Sequence, residues 1–295
     1  DIVEHAAASD LARVNWSGRG RAPIGYIKGM AVTYGEVLRK LMAGDSAALA
    51  MVRVVDGQHD VFDHYEDKFR AAGLVTDGAS DVDRLLALWV VLTGLGMRES
   101  SGGIDIGRDQ SASNTSSDSA EAGTWQQSWD SRRASPELPK ILAEYHHQAI
   151  DDIFKEGVKL RPGALENFGD GDGEKFQELA KSCPAFAAQC AAIGLRTLYT
   201  HWGPIIRREA ELRPEAIALF KLVQAIVGAN APVVAQKPTA SWLSVLLGAV
   251  MAMFRGAPTK PPAVPVPAKT TGTPWMTWAA KEVGFHEIGE NQGLE

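Results

Sequence analysis

The chain has 295 residues, 45% of them hydrophobic and 22% charged, which is enough apolar material for one good-sized domain with appendages. Its net charge of -6 excludes a global basic field, so no nucleic-acid partner is expected and a substrate must be held by a local cleft. The two cysteines, Cys183 and Cys190, read as buried thiols: on one helix their spacing separates them by about 10 Å, beyond disulfide reach, and it fits no zinc pattern.

Residues 1 to 24 read as an irregular lead-in, with Arg19, Gly20 and Pro23 set against a helix. The opening is acidic and lacks the apolar run of a secretory signal. A helix is predicted over Tyr26 to Met42, where Ile27, Met30, Ala31, Tyr34, Val37, Leu38 and Leu41 recur at three-four spacing and Gly44 stops it. Asp45 caps a short second helix. Asp60 to Ala72 gives another, with Val61, Phe62, Tyr65 and Phe69 on one face, Gly73 as C-cap, and His59 and His64 as surface flanks.

The most apolar helix starts at Ser80, whose pairing with Asp83 has the form of a capping box, and runs through Leu85, Leu86, Leu88, Trp89, Val90, Val91, Leu92 and Leu95. Lacking a polar face, it belongs inside a core. Gly94 and Gly96 are expected to break it, leaving Glu99 where the apolar helix runs out into a Ser/Gly turn. One buried wall disfavours the charged carboxylate, which would raise its pKa toward the range where it donates a proton near neutrality. A polar run with Asp109, Asp118 and Glu121 follows, then Ala122-Gly123-Thr124-Trp125-Gln126-Gln127 and Asp130. An acid with a second carboxylate nearby is what inverting glycoside hydrolysis requires.

Pro136 to Gly157 is predicted as one long amphipathic helix. Tyr145, in its middle, reads as a core residue or as a ring on which a sugar stacks, while His146 and His147 face apart and do not share a metal. Asn167 to Glu174 reads as a surface turn: it matches half of a calcium loop but lacks the third acidic position and the bidentate Glu at the twelfth. Phe176 to Leu198 reads as two helices hinged at Pro184, and the arginines of the following connection, Arg207 and Arg208, read as structural ion pairs ahead of a helix over Pro214 to Val227. From Gly228 the composition shifts. Residues 229–273 form a linker that contains an uncharged apolar run over 240–254 and then a Pro-rich spacer. The apolar run falls short of the ~20 residues that span a bilayer, so it is expected to lie on the domain, a partner or a membrane surface.

Arg98-Glu99-Ser100-Ser101-Gly102, followed by Ala122-Gly123-Thr124-Trp125-Gln126-Gln127, resembles the paired motifs of the goose-type lysozyme and lytic transglycosylase superfamily. The flanking text, roughly Trp16 to Val227, is similar to a bacterial and phage group of lysozyme-like proteins. The resemblance implies a mainly α, lysozyme-like domain over 1–228, with at most a small β hairpin, placed within 103–127. It implies that Glu99 is the catalytic acid with Ser100 beside it, that Gly123, Trp125 and Gln126 line the sugar cleft, and that Asp118, or else Asp109 or Asp130, assists. It also implies peptidoglycan glycan strands as the partner, a monomer, no cofactor and no metal, and action outside the cell or in the periplasm. Thr124 and Trp125 stand where the family has Leu and Met or Phe, so a non-catalytic wall-binding, virion or secretion scaffold is the alternative reading. Residues 274–295 resemble the opening of a papain-like cysteine amidase/endopeptidase domain and are read as the start of a second, incomplete domain.

Overall fold

The computed structural model of the chain describes residues 1–55, 59–108, 116–158 and 167–230. Asp109, the apolar run over 240–254 and the stretch 274–295 lie outside the described residues. Helices dominate what is described: α1 (Ile2–Ala8), α2 (Ile24–Met42), α3 (Ser46–Val52), α4 (Val61–His64), α5 (Glu66–Ala71), α6 (Asp81–Ser100), α7 (Glu137–Glu144), α8 (Ala149–Ile153), α9 (Gly171–Ser182), α10 (Pro184–Leu195), α11 (Gly203–Ile206) and α12 (Pro214–Asn230). Strands β1 (Asn15–Trp16) and β2 (Gly20–Arg21) pair antiparallel, with Asn15 opposite Arg21.

The axis of the fold is α6, whose side chains from Leu85 to Met97 are all buried. Each large apolar side chain taken out of water there contributes roughly 1.5–3 kcal/mol, so this one helix supplies a large share of the hydrophobic drive. It packs against α2, α3, α10, α11 and α12. Ser80 caps it by accepting the amide of Asp83 at 3.1 Å. Contrary to the sequence reading, α6 does not break at Gly94 or Gly96. Both glycines stay helical because neighbours use the space a side chain would take: a Cβ at 94 would lie 2.4 Å from the Glu211 carbonyl oxygen, and one at 96 would lie 2.4 Å from the Tyr26 hydroxyl. The intrinsic helix penalty of glycine, about 1 kcal/mol, is outweighed here by close packing.

α2 lies across α6 and is tied to it by two buried polar links. The Tyr26 hydroxyl donates to the Thr93 carbonyl at 2.8 Å, and Trp89 Nε1 donates to the Met30 carbonyl at 3.2 Å. Such links satisfy aromatic polar tips that would otherwise be orphaned in the core.

Three other sequence expectations need correcting. The lead-in is not irregular: it forms α1, a 3-10 turn over Asp10–Arg13 and the β1–β2 hairpin. The hairpin therefore lies at 15–21 and not within 103–127, where the described residues show a lone bridge between Ala122 and Gln127. The long helix over 136–157 is split, because Tyr145 turns extended and the buried Asp151 accepts bonds from the Gln148 amide, the Ala185 amide and the Tyr145 hydroxyl, starting α8 afresh. The hinge at Pro184 and the burial of both thiols stand as read, with Cys183 ending α9 and Cys190 inside α10.

Candidate active site

Because α6 continues through its glycines, Glu99 sits within the last helical turn and not after it. The helix ends at Ser101 and Gly102, both with positive φ (57° and 75°), which return their amides to the carbonyls of Met97 and Gly96. That geometry uses up carbonyls a helix end leaves unpaired. Ser100 spends its hydroxyl the same way, donating to the Gly96 carbonyl at 3.0 Å.

Glu99 is half-buried, and among the described residues no group donates a hydrogen bond to it. Its pKa is pushed up to about 7. Burial is the largest cause; the Glu121 carboxylate adds to it and Glu209 more weakly, while Arg19 and Arg207 pull the other way. The negative end of the α6 dipole, on which Glu99 rides, acts in the same sense as burial. A carboxylic acid protonated near neutrality and exposed on one side can donate a proton to a bound oxygen.

The segment after Glu121 folds back against the same end of α6. Trp125 Nε1 donates to the Leu92 carbonyl at 3.0 Å, its indole meets the Tyr26 ring at 6.3 Å, and it fills the space left by Gly96. Trp125 is 1% exposed, so it packs beneath the end of α6 and offers no face to a ligand. Gly123 is required where it stands: its φ is +73°, and a Cβ there would lie 2.3 Å from the Ala180 carbonyl oxygen of α9. Its amide donates to the Ile106 carbonyl at 2.8 Å. Gln126 is the partly exposed member of the strip. It adopts a left-handed φ of 45°, rare for a residue with a side chain, and its Nε2 donates to the Gly123 carbonyl at 3.0 Å. Below it, Trp202 donates Nε1 to the Trp125 carbonyl at 2.7 Å.

The other site candidates fall elsewhere. Asp118 and Asp130 share one guanidinium, with Arg132 reaching them at 3.0 and 3.5 Å. Tyr145 packs edge-on against Phe186, and its hydroxyl is taken by Asp151 at 3.2 Å, which makes it part of the α8–α10 packing. The charged groups that surround Glu99 instead are Arg19 on the hairpin, Glu121, and a cluster in which Arg98 and Arg207 both hold Glu209. The sequence carried little signal for this set. Arg19 and Arg207 reach Glu99 only because the hairpin and the segment after α11 are brought to the same helix end from opposite ends of the chain.

No protein-family model, curated protein or solved structure matches this chain.

Proposed function

We propose that the protein is a peptidoglycan-cleaving glycosidase, a muramidase or lytic transglycosylase, in which Glu99 protonates the oxygen of the bond between N-acetylmuramic acid and N-acetylglucosamine. The observation that supports this reading is the environment of Glu99: a carboxylic acid with its pKa near 7, with no hydrogen-bond donor among the described residues, on the last turn of a buried helix against which the Gly-Thr-Trp-Gln turn packs. Protonating the leaving oxygen leaves an oxocarbenium-like sugar, which is captured by water or by the sugar's own hydroxyl. With Asp118 and Asp130 both drawn to Arg132, Glu121 becomes the first candidate for the assisting carboxylate, because its charge already acts on Glu99.

The test is release of soluble fragments from purified peptidoglycan by wild type and by Glu99→Gln. The variant is expected to lose cleavage by about 10²–10⁴-fold, the usual contribution of a positioned general acid. Equal rates would remove Glu99 from the chemistry and with it this function. Mass analysis then separates the two product classes: reducing ends identify hydrolysis, and anhydro ends, lighter by one water, identify transglycosylation. Loss of reducing ends in Glu121→Gln would assign that carboxylate to water activation.

A further inference from the structure

The β1–β2 hairpin is tied by one bond to Arg98, the residue before Glu99 on α6, and by two to the segment between α11 and α12. Arg98 Nη1 donates to the Ser17 carbonyl at 3.3 Å, the Ser17 amide donates to Glu211 at 2.9 Å, and Arg213 Nη2 donates to the Asn15 carbonyl at 3.0 Å. Trp16, 1% exposed, anchors the hairpin in the core. The loop between the strands turns at Gly18 (φ 67°), Gly20 (φ 75°) opens β2, and Arg19 lies between the two glycines in the turn. The charges of two cations, Arg19 and Arg207, act on Glu99, and their situations differ. Arg207 is paired through a two-pronged contact with Glu209 at 3.0 and 3.2 Å. Arg19 is exposed, and among the described residues its guanidinium has no ion pair or hydrogen bond. A solvated arginine on a hairpin tied to the residue before Glu99, with its charge felt at that carboxyl, is suited to bind an anion carried by the molecule on which the carboxyl acts.

We infer that Arg19 is a specificity residue that binds a carboxylate substituent of the glycan next to the bond cleaved at Glu99. This rests on the glycosidase reading for the identity of the substrate. The substituent is either the lactyl carboxylate of the muramic sugar or a carboxylate of the peptide attached to it. Both are planar anions that a guanidinium can hold by two parallel N–H donors. Arg19 therefore selects muramic-acid-containing strands over uncharged N-acetylglucosamine polymers, and it does so without touching the reacting atoms.

The test is calorimetric binding to Glu99→Gln and to Glu99→Gln/Arg19→Ala. The ligands are a tetrasaccharide with free lactyl groups, the same glycan with those groups converted to methylamides, and the form carrying stem peptides. Removing Arg19 is expected to weaken the free-acid ligand about tenfold, leave the methylamide unchanged, and lose its effect in high salt. Arg19→Lys should recover part of the affinity, and Arg21→Ala on the same hairpin should change nothing. Weakening confined to the peptide-bearing ligand assigns the carboxylate to the peptide. Equal weakening of the charged and amidated ligands, no weakening at all, or no binding of any charged form overturns the inference. Selective binding together with failure of wild type to cleave overturns the glycosidase reading and keeps the anion subsite.

Discussion

Asp60 and Glu99 are both carboxylates drawn away from water, and the protein satisfies one of them and not the other. Asp60 is 3% exposed and accepts two bonds from Arg196, at 2.9 and 2.7 Å, and a third from the Phe62 amide at 3.1 Å. Arg196 is in turn filled by the carbonyls of Met51 and Arg53 and lies over the Phe62 ring at 4.1 Å. That node joins α10 to the start of α4 and leaves no proton-transfer capacity. Glu99 feels charges around it but, among the described residues, has no donor on it. A buried acid that is paired and hydrogen-bonded holds a fold together; one without a donor among the described residues, at a helix end with one open side, is available for chemistry.

Substitutions at the two sites should therefore separate activity from stability. Glu99→Gln is expected to cut cleavage by about 10²–10⁴-fold while the protein stays folded, measured as turnover alongside a thermal melt. Asp60→Asn should do the reverse, costing about 3–5 kcal/mol because it leaves the Arg196 guanidinium buried without its counter-charge. Its denaturant midpoint should fall while turnover per folded molecule is kept. If Asp60→Asn abolished turnover in folded protein, the contrast between the two sites would be wrong.

The pH dependence sharpens the comparison. Glu99 has a folded-state pKa of about 7 against an ordinary value of 4.5, so the folded protein holds this proton more tightly than the unfolded chain does. Its penalty is absent below about pH 4.5, grows as pH rises, and is complete above pH 7. At 1.36 kcal/mol per unit the shift sets a ceiling of about 3 kcal/mol, reduced by solvent reaching the open side. Glu99→Gln should accordingly be more stable than wild type at pH 8 and match it at pH 4. Cleavage by wild type should decline as pH rises through about 7, where the acid loses its proton.

Smaller effects test the packing that supports the site. Gly96→Ala inserts a methyl group 2.4 Å from the Tyr26 hydroxyl and 3.0 Å from Trp125 Nε1, and should cost about 1–3 kcal/mol in chemical denaturation. Ser80→Ala removes the cap at the far end of α6 and should cost about 1 kcal/mol without altering cleavage.

The parts of this arrangement legible in the sequence are those set by local rules. The apolar run of α6, its Ser80 cap and the position of Glu99 at its end follow from periodicity and capping chemistry. What Gly94 and Gly96 do was not legible, because a glycine that ends a helix and one that admits a neighbour look alike until the neighbour is known. The same holds for Tyr145, whose helix stops on account of hydrogen bonds to Asp151, a residue also bonded by the distant Ala185 amide. Asp118 and Asp130 flank the Gly123–Gln126 strip in the sequence, yet Arg132 takes both, and only the folded chain shows that Glu121 is the acid acting on Glu99.

The closing turn at Ser101 and Gly102 has one further consequence. Gly102 is wedged against Pro23 and Tyr26, with a Cβ there falling 3.0 Å from each, so the tail of α6 has no room to fray. The carboxyl of Glu99 is consequently held in register by the folded chain itself, and the unfavourable burial of its side chain is met once, during folding.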